Sequence, residues 1–224
     1  CIILSVAVLS GISLMSKVKT AVAGNLLSAV SVLLGIVITL LYKELFSGWT
    51  IYIFMLLGIL IGSTFASRVK MIEMPQLVAL LNGVGGLASA LVGVLSLIGI
   101  GVVINEYPIF VNVTSVLAIV VGLITLSGSL VAAGKLHKIL PQKPVVWKKH
   151  STIVTGFIII LISTIIYSAF TSNTLIVLAI SVVFSSMFGY AFAIRVGGAD
   201  MPITISLLNS LSGVAGPIAG MAIN

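Results

Sequence analysis

Apolar residues fill this chain in eight long runs separated by short polar breaks, and no segment shows the two-residue alternation of a half-buried strand. The runs cover residues 1–15, 21–42, 49–67, 74–98, 109–134, 151–170, 174–194 and 202–222. Most approach the ~20 residues that a helix needs to cross ~30 Å of hydrocarbon. The pattern therefore predicts an all-α fold, a polytopic transmembrane helix bundle in a single domain over residues 1–224. An open sheet edge would leave backbone groups unpaired in lipid. The first run is short and lacks a basic leader and a small-residue cleavage site, so it reads as a membrane helix clipped at its start, not a signal peptide. Trp49 and Tyr52 suit interfacial anchors at the start of the third run. The main breaks are a loop around Asn105-Glu106-Tyr107-Pro108, the turn Thr171-Ser172-Asn173, and a hydrophilic connection over 135–150 containing Pro141, Pro144 and Trp147.

The fourth and eighth runs open on one design. MIEMPQLVALLNGVGGLASALVG, starting at Met71, recurs 127 residues later in GGADMPITISLLNSLSGVAGPIAG, as the step from Glu73 to Asp200 shows. Met74-Pro75 matches Met201-Pro202, and Leu80-Leu81-Asn82 matches Leu207-Leu208-Asn209. Gly86 and Gly93 match Gly213 and Gly220, Arg68-Val69 matches Arg195-Val196, and the likeness reaches back to Gly62, Phe65 and Ala66 against Gly189, Phe192 and Ala193. Four spans separate the copies, so both point the same way. The repeat is parallel, pairing helices 3–4 with helices 7–8.

Composition agrees with a lipid solvent: 60% hydrophobic, 7% charged, mean hydropathy +1.36, where a soluble domain carries roughly 25% charged residues. The net charge of +7 is no nucleic-acid signal, because the basic residues sit between apolar runs. Lys17, Lys19, Arg68, Lys70, Lys135, Lys138, Lys143, Lys148, Lys149 and Arg195 follow odd-numbered runs and only Lys43 lies on the other side, which makes the odd loops cytoplasmic. One cysteine, Cys1, excludes an internal disulfide, and with two histidines no metal centre is expected.

Within the apolar runs, Asn82 and Asn209 lie at equal depth, ~10 Å along the helix from Pro75 and Pro202. Stepping in threes, fours and sevens from Asn82 reaches Gly85, Gly86, Ser89 and Gly93; from Asn209 it reaches Ser212, Gly213, Gly216 and Gly220. Each amide thus shares a face with small residues, and the two are expected face to face in a wet, glycine-lined seam. Two readings stay open. The amides are interhelical glue, at ~0.6 kcal/mol on average, or they belong to a polar conduit. Thr125, Ser127 and Ser129 near the end of the fifth run suit either a proton relay or helix-carbonyl bonding. Asn25, Ser28 and Ser31 read as packing residues. Glu73 and Asp200 either place charge at a helix start, worth ~0.3–1 kcal/mol, or face a docked cytoplasmic partner. His137 and His150 read as solvated interfacial histidines, with proton handling as the alternative. No Asp, Glu, Lys, Arg or His is expected inside the membrane, no phosphate-cradling glycine motif follows a strand, and no nucleophile–base pair stands out.

EMPQLVALLNGVGGLASALVG, ITLSGSLVAAGKL and RVGGADMPITISLLNSLSG resemble, in order and on the corresponding spans, the beta subunit of proton-translocating NAD(P) transhydrogenase. That resemblance implies an oxidoreductase and translocase moving hydride between NAD(H) and NADP(H) while a proton crosses the membrane. It implies that NAD(H) binds on the alpha side and NADP(H) at the beta C-terminus, so this chain, which ends where another span and that domain would follow, binds no cofactor and is a truncated form. The implied partners are membrane helices and the NAD(H) domain of an alpha subunit, the NADP(H) domain, lipid, and a second holoenzyme in a homodimer in the bacterial inner membrane. On the matching motifs, Asn209, with Asn82, Ser89, Ser127, Ser129 and Ser212, becomes the candidate proton path; Asp200, with Glu73, Arg68 and Arg195, becomes the candidate coupling surface toward the NADP(H) domain. Many members have histidine where this chain has Asn82, so either water and amides conduct here or, as the favoured reading, the titrating group comes from the alpha subunit. Parallel repeats with polar midplane residues also occur in small-solute transporters and channels, and a purely structural membrane subunit is a third reading.

Overall fold

The computed structural model describes residues 2–42, 48–100, 107–171 and 173–223. Lys43, the Asn105-Glu106 part of the predicted loop, Ser172, Cys1 and Asn224 lie outside the described residues. The described residues form eight α-helices and no strand: α1 Ile2–Met15, α2 Ala21–Tyr42, α3 Trp49–Arg68, α4 Met74–Leu97, α5 Pro108–Leu136, α6 His150–Ser168, α7 Thr174–Ile194 and α8 Met201–Ile223. Seven are long and apolar enough to cross a membrane, and α1, at 14 residues, is shorter.

The chain divides into two compact units, Cys1–Arg68 and Val69–Asn224. In the first, α1 and α2 form a hairpin that crosses at two glycines: a Cβ on Gly24 would lie 2.5 Å from the Gly11 carbonyl oxygen. Ser31 is buried and donates to Leu27 O at 2.7 Å, whereas Asn25 is exposed. No residue of α3 is buried.

In the second unit α5 is the hub, packing on α4, α6, α7 and α8. Its 29 residues span ~43 Å at 1.5 Å per residue, more than the hydrocarbon thickness, so its ends reach the interfaces. The α4 seam is built from small residues. A Cβ on Gly86 would lie 2.6 Å from Gly122 O, and one on Gly93 2.6 Å from Ser115 O, with Ala90 and Ala118 filling the turns between. Lipid tails are as apolar as leucine, so helix pairing in a bilayer draws on such close van der Waals contact. Across α7, Gly189 sits against Ile124 and Ser127; across α8, Leu208 is fully buried against Gly128. Val116, Ile119, Val120, Leu161 and Val177 close the core on the α6–α7 side.

α4 and α8 start alike. Each follows a three-residue 3-10 turn, Met71–Glu73 or Gly198–Asp200, closed by the acid's backbone N–H on the carbonyl three residues back at 2.9 and 3.0 Å. Each turn then hands over to Met-Pro, where the missing proline N–H costs nothing. α5 runs two residues past its predicted end and stops in a Schellman closure. Lys138 takes the left-handed conformation (φ 61°), its N–H donates to Lys135 O at 3.0 Å, and Ile139 N–H donates to Gly134 O at 2.9 Å.

The glycine seam makes a directional prediction. Gly86→Leu drives a side chain into the α5 backbone and should destabilise the purified chain in detergent by about 1–3 kcal/mol, roughly 2–12 °C in Tm. Gly213→Leu, at the matching position of α8 where a Cβ meets nothing within 4 Å, should melt like the parent. Equal losses would contradict the packing described.

Candidate functional site

α4 carries two adjoining stripes. Ala79, Gly83, Gly86, Ala90 and Gly93 are buried, the glycines among them against α5. Val78 shares a groove with α8, and a Cβ on Gly85 would meet Ser212 Oγ at 3.4 Å. At about 100° per residue, Asn82 falls on the edge between the stripes. Its side chain is 7% exposed, and Nδ2 donates to Ser129 Oγ of α5 at 3.1 Å. Oδ1 is buried with no hydrogen-bond partner. Exchanging the two ends of the amide leaves the same count, one end bonded and one unpaired. Leaving a buried polar atom unpaired costs about 1–3 kcal/mol, and such atoms in native structures usually await a water, an ion or a partner.

Asn209 is not opposite Asn82. Its neighbour Leu208 is the residue that points into α5, so Asn209 is turned about 100° away and is exposed. It borders a groove of about 360 Å³ with Met74, Pro75 and Val78 of α4 and Pro202 and Ile205 of α8. The face-to-face amide pair predicted from the repeat is therefore absent. Below Asn209 the α8 surface continues through Gly213, Gly216 and Gly220, where added Cβ atoms would meet open space.

Of the predicted relay hydroxyls, most bond their own helix: Ser89 donates to Gly85 O at 3.2 Å, Thr125 to Val121 O at 2.8 Å and Ser127 to Leu123 O at 2.8 Å. Only Ser129 meets an amide. A second polar cluster joins the far ends of three helices: Ser115 Oγ donates to Ser96 Oγ at 2.9 Å, and Ser96 Oγ to Ala222 O at 2.6 Å. Singly these serines look ordinary in sequence; only the packing of α4, α5 and α8 unites them.

Of the predicted coupling residues, Glu73 and Asp200 stand at helix starts, and Arg68 and Arg195 at helix ends. Glu73 accepts the Lys70 backbone N–H at 3.3 Å, while Asp200, Arg195 and, in the first unit, Arg68 are exposed. Nearby, Gln76 of α4 donates to Leu136 O at 3.2 Å, and its carbonyl oxygen lies 3.0 Å from His137 Nδ1. This pair fastens the start of α4 to the end of α5.

Lys135 corrects the expectation that charges keep to the loops. Its side chain is fully buried in the last turn of α5. Nζ donates to Ile194 O at 2.6 Å, Val196 O at 2.7 Å and Lys143 O at 3.3 Å. Three carbonyls, one of them the last of α7, give the ammonium a full set of acceptors at the negative end of a helix dipole. The same joint is tightened by Val145 N–H on Ile194 O at 3.1 Å and Gly198 N–H on Gln142 O at 2.8 Å. His150, expected to be solvated, is 5% exposed, its ring 5.1 Å from that of Trp147 and both nitrogens unpaired. Among the described residues no three His, Cys, Asp or Glu side chains converge on a metal site.

Lys135→Met should leave those carbonyls without a donor and cost about 1–3 kcal/mol. Hydrogen exchange over residues 190–200 should rise well above that over the α4–α5 seam. Parent-like protection in that segment would show that the ammonium does not hold the joint.

The NAD(P) transhydrogenase beta subunit family matches residues 1–224. Two curated relatives, both NAD(P) transhydrogenase subunit beta from Rhodospirillum rubrum and one of them from a named strain, are each 32% identical over 213 residues. The alignment covers 90% of this chain and 44% of each relative, so the chain spans less than half their length. A match over every residue, on a helical membrane bundle, settles membership: the chain belongs to the NAD(P) transhydrogenase beta subunit family.

Proposed function

We propose that this chain is the proton-translocating membrane domain of an NAD(P) transhydrogenase, coupling proton passage to hydride transfer between NAD(H) and NADP(H) on separate soluble domains. The observation that carries this reading is Asn82: a buried amide with one end on Ser129 and the other unpaired, on the helix whose Val78 borders the groove where Asn209 lies. An amide does not titrate, so it relays or orients and does not store the transported proton. The storing group then belongs to a partner helix, and histidine suits it because its unperturbed pKa of ~6.5 shifts readily across the working range.

The partner helix in this reading is one of the alpha subunit, and it lies along the open face of α8. Gly216 and Gly220 have the four-residue spacing of close-packing membrane helices, and Asn209 heads the same face. Protonation of the partner group alters the bonding of Asn82, Asn209, Ser129 and Ser212. α4 and α8 carry Glu73 and Asp200 at their starts, so a shift in either helix is delivered to the residues that, with Arg195, meet the NADP(H) domain; Arg68, in the first unit, is a separate candidate contact for the same domain. Coupling needs such an element biased from both ends. The basic loops face the cytoplasm in this reading, the membrane is the bacterial inner membrane, and the holoenzyme pairs as a homodimer.

In the complete enzyme reconstituted in vesicles, Asn209→Leu should cut proton uptake per hydride transferred by about tenfold or more, ~1.4 kcal/mol of coupling, with Tm within a few degrees of the parent. Proton uptake is read from a pH-sensitive dye and hydride transfer from nucleotide absorbance. Normal coupling in that variant would defeat the assignment.

A further inference from the structure

Away from the α4–α5–α8 seam, the α6–α7 wall holds a cleft of about 470 Å³ formed by Trp147, Ile153, Phe157, Ser186, Met187 and Tyr190. Apart from the Trp147 and Tyr190 tips and one serine, the lining is apolar. The Trp147 and Tyr190 rings stack at 6.3 Å, 20° from parallel, and His150 backs Trp147 at 5.1 Å. Rings of this amphipathic kind sit at headgroup level. Phe157, seven residues into α6 from His150, lies ~10 Å deeper. The cleft thus runs from the headgroup zone into the acyl zone.

Its mouth is basic. Lys148 and Lys149 directly follow Trp147 in the chain and are exposed; Lys143 lies on the same connection. The connection over 135–150 contains no Asp or Glu, and among the described residues none of these cations makes an ion pair. α6 also begins without a side-chain cap, so its first backbone N–H groups add partial positive charge.

We propose that this cleft binds an anionic phospholipid, one acyl chain lying between α6 and α7 and the phosphate resting on Lys148 and Lys149. An apolar slot whose Trp147 is followed directly by two exposed lysines without an ion pair has the two-part chemistry of that molecule. A partner helix would fill the slot and leave the lysines unanswered; a soluble anion would answer the lysines and leave the slot empty. The cleft lies apart from Asn82 and Asn209, so its failure and that of the proton-route reading are distinguishable.

The test uses the complete enzyme in detergent–lipid micelles, with Trp147 as reporter by difference against Trp147→Phe. Brominated phosphatidylglycerol should half-quench that difference signal at a mole fraction roughly threefold to fivefold below brominated phosphatidylcholine, the scale of a single lysine near an anionic surface. Lys148→Ala/Lys149→Ala, at exposed positions, should leave Tm unchanged and erase the preference. The immobilised fraction of spin-labelled phosphatidylglycerol, which needs no tryptophan change, should fall in the same double variant. Equal quenching by both lipids, quenching by neither, or a preference that survives loss of both lysines would overturn the proposal.

Discussion

The second unit depends on how closely α4 approaches α5. At Gly86 and Gly122 each backbone occupies the volume that the other's Cβ would need. No larger residue fits without pushing the helices apart, and a bilayer supplies no hydrophobic force to compensate for lost contact. That approach is also what lets Asn82 reach Ser129. The amide's side chain is short, and its 3.1 Å bond crosses the seam one turn from Gly86. Packing and candidate chemistry therefore share one constraint: widening the seam would remove the contact and the hydrogen bond together.

A second joint works on opposite principles. Where α4 and α5 touch because side chains are missing, the end of α5 is bound to the end of α7 by the longest aliphatic chain available. Lys135 brings a full charge into a site closed to solvent, which is tolerable only with its donors satisfied. Its acceptors belong to the connection over 135–150 and to the residues leading into the 3-10 turn before α8. That turn ends at Asp200. Asp200 is consequently tied to α5 through the Lys135 ammonium and the carbonyls of Ile194 and Val196 that accept from it.

The fold class was legible in the sequence because it rests on run length and composition, which no tertiary contact overrides. Helix starts were legible too, since Met-Pro after an acid leaves little choice of local structure. Lys135 was not. It stands one residue past the predicted end of its span, and the carbonyls of Ile194 and Val196 that satisfy it lie 59 and 61 residues further on. The serine cluster at Ser96, Ser115 and Ala222 was hidden for the same reason. Asn209 differs in kind: its likeness to Asn82 carries no likeness of surroundings. Sequence identity between two segments fixes which atoms they present and leaves open what lies against them.

That difference is informative about the site. Gly86 and Gly93 are pressed against α5, while their counterparts Gly213 and Gly220 face open space. Asn82 is buried while Asn209 is exposed. α4 thus displays what a segment of this design does once a helix covers it: the glycines admit a backbone and the amide finds a hydroxyl on the other side. On the reading proposed above, a partner helix on α8 would meet the same geometry and bring its own polar group to Asn209. The chain would then hold one finished amide contact and one awaiting its other half, the second on a groove that Val78 of α4 also borders. Asymmetry between two like segments, more than the likeness itself, is what makes a transmissible switch physically reasonable here.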